Sequence, residues 1–304
     1  MSLKRWMYLL AAMTVMATGA VQAQAQGRLD KIKSTGEITL GFRESSIPFS
    51  YLDGKQQPVG YSMDICAGVV EAVKKHLGLP DLNTRLVSVT SSTRIPLVAN
   101  GTVDISCGSA TNNAERQKQV SFAPTTFVTA LRFVSKKEDN LNTLDDLKGK
   151  TVVSTSGTSS LRWLTQTNAE QKLGMRIIPA KDHSAGFLTV DSGRAEAFFM
   201  DDVLLVGLVA SSRDPESWVI NDKSFTVEPY GMILPKGDPE FKKVVDEAVE
   251  GMMADGTVAK LYEKWFNQPV PPKDINLNWP MPQALANAIK HPTDSPDPDD
   301  YTVQ

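Results

Sequence analysis

Between residues 37 and 266 the chain alternates short apolar runs with amphipathic stretches. Glu37–Phe42 alternates polar and apolar residues and predicts a first strand. After the turn at Gly60, apolar residues recur at helical spacing as far as Leu77 and predict a helix. The same patterns predict later strands at 86–89, 151–153, 175–180, 197–200 and 218–220. They predict two further helices at 241–253 and 258–266. Strand–helix alternation of this kind is typical of an α/β protein.

Two extended segments, Phe127–Val134 and Phe225–Leu234, interrupt this alternation. They predict a crossing into a second lobe and a return, and therefore an α/β fold with two lobes joined by two extended hinge crossings. The expected lobes are 27–131 with 229–278, and 132–228. Residues 279–304 are rich in proline and aspartate, and we expect them to lie extended or disordered.

The first 25 residues have the pattern of a cleavable signal peptide. Lys4 and Arg5 precede an apolar run to Ala20, and cleavage fits after Ala25 or after Ala23. The run is shorter than the about 20 residues of a membrane span. We therefore expect an exported protein that is not inserted in a membrane, with the periplasm as its location.

Charge and cysteine content narrow the function classes. The formal net charge is −3, and removing residues 1–25 takes away two cations and makes it −5, which disfavours nucleic acid as a partner. Cys66 and Cys107 allow one disulfide, but two buried free thiols are an equal alternative. No histidine has zinc-ligand spacing with a cysteine, and neither a phosphate-binding loop nor a hydrolase serine motif is present. We expect no metal and no cofactor.

Three predicted strand ends each carry an arginine: Arg43, Arg94 and Arg116. In open α/β sheets ligands bind beyond the carboxyl ends of the strands, and guanidinium groups suit carboxylates. Nearby hydroxyls and turn amides suit the same ligand. Each residue also has a structural alternative: a surface arginine, a capping hydroxyl, or, at Asp201, an N-cap that Asp202 could supply instead.

Several segments together resemble the periplasmic solute-binding proteins of polar amino acid ABC transporters, and most of all those that bind glutamate and aspartate. The resemblance covers roughly residues 29–278. It is carried by 41–46, 94–97, 111–119, 155–158, 180–183 and 200–202. It implies the two-lobed periplasmic binding protein fold of type II, an inner-membrane permease as partner, and a protein that acts as a monomer without enzymatic activity.

The resemblance also implies a ligand set. Ser109, Thr111 and Arg116, with Thr158, would hold the α-carboxylate of an amino acid, and Asp201 would hold its ammonium group. The side-chain carboxylate would contact Arg43, Ser91, Arg94, Thr155 and His183. A charge count from the residues agrees with this ligand set. Three arginines and one aspartate leave a surplus of positive charge, which an acidic ligand lowers. We therefore expect L-glutamate or L-aspartate, captured by hinge closure.

Alternatives remain at this point. The ligand could be another polar amino acid, the scaffold could serve a periplasmic dehydratase or lyase, or the chain could be the sensor part of a signalling system. The resemblance also leads us to expect a cysteine where this chain has Met232, so the disulfide of the family does not transfer to Cys107.

Overall fold

The structure, a computed structural model, describes residues 27–302. The predicted signal peptide, residues 1–25, lies outside the described residues. In the described part no helix has the length and apolar character needed to cross a membrane.

The described residues form fifteen strands and ten α-helices. The strands before the second lobe are β1 (Glu37–Phe42), β2 (Ser45–Ser46), β3 (Ser50–Leu52), β4 (Pro58–Val59), β5 (Asn83–Ser88), β6 (Ile105–Cys107), β7 (Val120–Phe122) and β8 (Phe127–Thr129). The later strands are β9 (Leu131–Lys136), β10 (Thr151–Thr155), β11 (Arg176–Ala180), β12 (Ala197–Asp201), β13 (Trp218–Ile220), β14 (Glu228–Tyr230) and β15 (Ile233–Pro235). The helices are α1 (Arg28–Thr35), α2 (Tyr61–Leu77), α3 (Arg94–Ala99), α4 (Ala114–Gln117), α5 (Ser159–Glu170), α6 (His183–Asp191), α7 (Asp202–Ser211), α8 (Pro239–Ala254), α9 (Thr257–Phe266) and α10 (Gln283–Lys290).

Each lobe is built on a five-stranded sheet, and the two sheets have the same plan. The first has the order β5-β1-β6-β15-β7 and the second β11-β10-β12-β9-β13. In each, three strands run parallel, and the fourth strand in the order is antiparallel to its neighbours. Helices follow the parallel strands, as the alternation in the sequence predicts.

The two crossings pair with each other. β8 enters the second lobe and β14 returns from it, and the two form an antiparallel ladder that joins Phe127 to Tyr230 and Thr129 to Glu228. Aromatic side chains pack beside this ladder. The ring of Phe127 lies 4.9 Å from that of Phe266, and the ring of Phe49 lies 5.3 Å from that of Tyr230. The hinge is therefore anchored in the core of the first lobe.

The two cysteines form a disulfide, which resolves the alternative left open by the sequence. Cys66 lies on the buried face of α2 and Cys107 ends β6. The Sδ atom of Met232 lies 3.1 Å from the Sγ atom of Cys66. Residue 232 therefore still borders the sulfur pair, although it does not supply one of its cysteines.

The expectation of an extended or disordered tail is wrong for its described part. Helix α10 buries Leu285 and packs against α8. The hydroxyl of Tyr301 is hydrogen-bonded to that of Thr125 at 2.8 Å, and the amide of Thr125 donates to the carbonyl of Thr293. The prediction rested on the proline and aspartate content of this segment. A few apolar residues are nevertheless sufficient to pack it against the first lobe.

Candidate functional site

The predicted site residues lie at or just beyond the carboxyl ends of parallel strands, and each lobe contributes residues from three such strands. In the first lobe Arg43 follows β1, Ser91 and Arg94 follow β5, and Ser109, Thr111 and Arg116 follow β6. In the second, Thr155 ends β10 with Thr158 just beyond it, His183 follows β11, and Asp201 ends β12. Contacts across the cleft join the two sets. The guanidinium of Arg116 donates to the carbonyl of Gly157 at 3.1 Å, and the hydroxyls of Thr111 and Ser159 lie 3.1 Å apart.

The three guanidinium groups are buried and close enough to affect one another. Arg43, Arg94 and Arg116 are 1%, 2% and 4% exposed. Burial lowers the pKa of Arg43 to about 10, with the charge of Arg116 acting in the same direction and that of Asp182 opposing it. Burial also lowers the pKa of Arg94 well below its usual value, with the charges of Arg116 and Arg43 acting in the same direction. The site therefore concentrates positive charge away from water.

The arginines use backbone carbonyls rather than acidic side chains as partners. Arg94 Nη1 donates to the carbonyl of Ser109 at 2.6 Å, and Arg116 Nη1 donates to the carbonyl of Thr111 at 2.7 Å. Among the described residues no ion pair includes Arg43, Arg94 or Arg116.

Several buried donors at this site have no acceptor within the described residues. They are Arg43 Nε and Nη1, Arg94 Nε, Ser91 Oγ and Ser109 Oγ. An unsatisfied buried donor costs on the order of 1–3 kcal/mol, and more when it is charged. A carboxylate is the acceptor that this arrangement suits, since its two oxygens accept several charge-assisted hydrogen bonds.

His183 is buried between Arg43 and Thr155. Its Nε2 lies 3.5 Å from Arg43 Nη2, and its Nδ1 lies 2.9 Å from Thr155 Oγ1. Burial lowers the pKa of His183 well below its usual value, and the charges of Arg43 and Arg94 add to this. A guanidinium can only donate, so Nε2 accepts and the neutral ring carries its proton on Nδ1. In this arrangement His183 contacts Arg43 and helps to position it. This role differs from the predicted one, in which His183 itself contacts the side-chain carboxylate of the ligand.

Asp201, at the end of β12, is an acidic residue whose charge acts on Arg94 and Arg116. Its two carboxylate oxygens accept from the hydroxyls of Tyr230 and Ser160. Burial and the nearby charge of Glu228 together raise the pKa of Asp201 to about 8. The side chain of Asp201 does not cap α7. Asp202 instead accepts from the amide of Val203 at 2.7 Å, so Asp201 remains available to a cationic group.

Thr158 has a local role in the structure. Its hydroxyl donates to the carbonyl of Thr155 at 2.6 Å and accepts from the amide of Leu161, which caps α5. The contact of Thr158 with an α-carboxylate stays a prediction. The neighbouring Gly157, at φ +77°, has no room for a side chain, because a Cβ there would lie 2.6 Å from the Cα of Ser92 in the first lobe. The two lobes therefore meet tightly beside the site.

Sequence reasoning missed the contribution of the return crossing. Glu228 and Tyr230 on β14 are both buried and contact residues of the second lobe. Tyr230 holds Asp201, and Glu228 holds Ser159. One signal was available: Glu228 is an isolated charge in a segment that otherwise reads as a buried crossing. Among the described residues no cluster of side chains could hold a metal ion.

Comparison with known proteins identifies the family. Residues 38–268 match the model of bacterial extracellular solute-binding proteins, family 3. The chain belongs to this family. It is therefore a solute-binding protein. The dehydratase or lyase alternative is set aside, because the curated relatives that share about half of their sequence with it are transport solute-binding proteins and not enzymes.

Two relatives share about half of their sequence with this family member. The chain is 53% identical over 281 residues to the L-glutamate/L-aspartate-binding protein of Pseudomonas aeruginosa, covering 92% of this chain and 93% of the relative. It is 48% identical to the glutamate/aspartate import solute-binding protein of Salmonella typhimurium, over 94% of this chain and 97% of the relative. A solved structure of a mutant ArgBP from T. maritima matches with a TM-score of 0.70 at 25% identity, covering 78% of this chain and 98% of that one. The predicted two-lobed fold is confirmed.

Proposed function

We propose that this protein captures L-glutamate or L-aspartate between its lobes and delivers it to an ABC permease in the inner membrane. The observation that carries the proposal is the group of buried arginine and serine donors without acceptors, contributed by Arg43, Arg94, Ser91 and Ser109. The names of the Pseudomonas and Salmonella relatives support the same ligands.

The ligand would bind with its two ends in different parts of the cleft. Its α-carboxylate would lie near Arg116 and Ser109, and its ammonium group near Asp201. Its side-chain carboxylate would lie near Arg43 and Arg94, whose Nε atoms have no other acceptor among the described residues. A neutral side chain would leave those buried charges without a carboxylate, which is costly.

Capture would proceed by rotation of the lobes about the paired crossings β8 and β14. The contacts between Arg116 and Gly157 and between Arg43 and His183 cross the cleft and would form as it closes. The protein would act as a monomer in the periplasm, after removal of the predicted signal peptide.

Calorimetry with four amino acids tests the proposal. We expect heat and saturable binding with glutamate or aspartate, and much weaker or no binding with glutamine and arginine. An affinity near micromolar corresponds to about −8 kcal/mol. If neither acidic amino acid binds, the proposed specificity is wrong.

A pair of variants links binding to the site. Arg116→Ala should abolish binding of every amino acid, since it removes the group assigned to the α-carboxylate. Arg213→Ala provides the matched control, because Arg213 is exposed on the second lobe. Equal binding by both variants would contradict the assignment of Arg116.

A further inference from the structure

A second buried carboxylate lies beside the cleft, on the returning hinge strand. Glu228 is 5% exposed and takes part in no ion pair among the described residues. Its Oε1 accepts from the hydroxyl of Thr226 at 2.7 Å, and its Oε2 accepts from the hydroxyl of Ser159 at 2.9 Å. Buried carboxylates need such partners, and Glu228 obtains one of them from the second lobe.

The hydrogen bonds continue from Ser159 into the first lobe. The hydroxyl of Ser159 lies 3.1 Å from that of Thr111. A carboxylate can only accept, so the single proton of Ser159 points to Glu228, and the Ser159 oxygen accepts from Thr111. The result is a chain with a fixed direction, Thr111 to Ser159 to Glu228, which connects the first lobe, the second lobe and the hinge strand β14.

Glu228 also changes the charge of the cleft. When Asp201 is ionised, as binding of an ammonium group requires, Asp201 and Glu228 stand against the three arginines and leave a net charge of one positive unit. Glutamate or aspartate, with a net charge of one negative unit, would bring the closed cleft to neutrality. Burial lowers the pKa of Arg116, and the charge of Glu228 is the largest influence opposing this. The electrostatic influence of Glu228 therefore reaches the predicted α-carboxylate end of the site.

We infer that Glu228 is a positioning residue for amino acid binding: it holds the lobes together through Ser159 and Thr111 and balances the charge of the cleft. The inference rests on the proposed function, because it concerns the same closed cleft.

Two variants separate the two roles. Ser159→Ala removes the hydrogen bonds that Ser159 makes to Thr111 and Glu228 and leaves the carboxylate in place. We expect the affinity for glutamate to fall about tenfold, which corresponds to about 1.4 kcal/mol, since the lost hydrogen bond joins a charged group across the cleft. The unfolding temperature of the ligand-free protein should change little, because the bond joins the lobes rather than stabilising either one.

Glu228→Gln keeps the shape of the side chain and removes its charge. Around Asp201 the charged and titratable groups are Glu228 and Tyr230 on β14, Asp202 on α7, and Arg94 and Arg116 from the first lobe. The negative charge of Glu228 raises the pKa of Asp201, so this pKa should fall in Glu228→Gln. Asp201 would then stay ionised to lower pH, and the acidic limb of the pH profile for glutamate binding should move to lower pH. A residue that served packing alone would leave that limb in place.

Thr165→Val is the control, because it removes an exposed hydroxyl of the same helix α5, which is bonded to the carbonyl of Leu161, and retains both the charge of Glu228 and its connection to Thr111. It should match the parent in affinity and in pH profile. Parental affinity in Ser159→Ala would overturn the inference, and so would a parental acidic limb in Glu228→Gln. If Glu228→Gln does not fold, the Ser159→Ala result alone decides. Absence of glutamate and aspartate binding by the parent would instead refute the proposed function.

Discussion

Replacing Arg94 with methionine should reduce the preference for acidic amino acids far more than it reduces binding in general. Arg94 is buried, and its Nε atom has no acceptor within the described residues. In the proposed complex that atom faces the side-chain carboxylate of glutamate, whereas glutamine offers only a neutral amide there. Methionine fills a similar volume without charge or donor.

The magnitude follows from what each ligand loses. Removing one partner of a buried ion pair costs about 3–5 kcal/mol, and each 1.4 kcal/mol is a factor of ten, so the affinity for glutamate should fall by roughly 100-fold to 3,000-fold. The variant also deprives the carbonyl of Ser109 of its donor, which lies 2.6 Å away. That loss of about 1 kcal/mol affects the binding of glutamate and of glutamine alike and cancels in the ratio of their affinities. The change in this ratio therefore measures the effect of removing the positive charge.

Calorimetric titration of the parent and of Arg94→Met with glutamate and glutamine measures this ratio. Arg94→Lys is the matched variant, because it keeps the positive charge but not the planar guanidinium, and it should retain part of the preference. An Arg94→Met protein with the parental ratio of glutamate to glutamine affinity would refute the assignment of Arg94.

Three further predictions concern pH, closure and the tail. Ligand-free protein holds a proton on Asp201 below its pKa of about 8. An ammonium group requires the ionised form, so binding should release a proton, and the affinity should fall as the pH decreases below about 8, by at most about tenfold per pH unit. Calorimetry at pH 6–7 in buffers of different ionisation enthalpy checks this, and equal heats would contradict it. Gly157→Ala should weaken binding in a fluorescence titration, because its Cβ would meet Ser92 as the lobes close; unchanged affinity would show that this approach is not needed. Tyr301→Phe removes a buried hydrogen bond to Thr125 and should lower the free energy of unfolding by about 1 kcal/mol in urea denaturation; no change would contradict the docking of the tail.

Local pattern was sufficient for most of the architecture. The alternation at 37–42 marks β1 without error, and the spacing of Ile65, Val69, Val70 and Val73 matches the buried face of α2. The two extended segments predicted as crossings do pair with each other. These features depend on neighbours along the chain, so they are visible in the sequence.

The positions of the three arginines could also be predicted from the sequence, because a strand end fixes where the next side chains lie. The partners of those side chains could not be predicted. The cap made by Thr158, the role of His183 toward Arg43, and the contacts of Glu228 all depend on residues distant in sequence. The disulfide shows the same limit, since the pairing of α2 with β6 follows from the packing of the whole lobe.

The covalent link between Cys66 and Cys107 has a consequence for how the protein matures. Strand β6 ends at Cys107 and leads straight into the loop that carries Ser109 and Thr111, so the sulfur bond ties the base of that loop to α2. Such bonds form and persist in oxidising surroundings and are rare in the cytosol. A chain retained among cytosolic reductants would lack one anchor of the loop that carries the predicted carboxylate-binding residues Ser109 and Thr111. Export would then do more than bring the protein to its solute, because it would also complete the framework that recognises it.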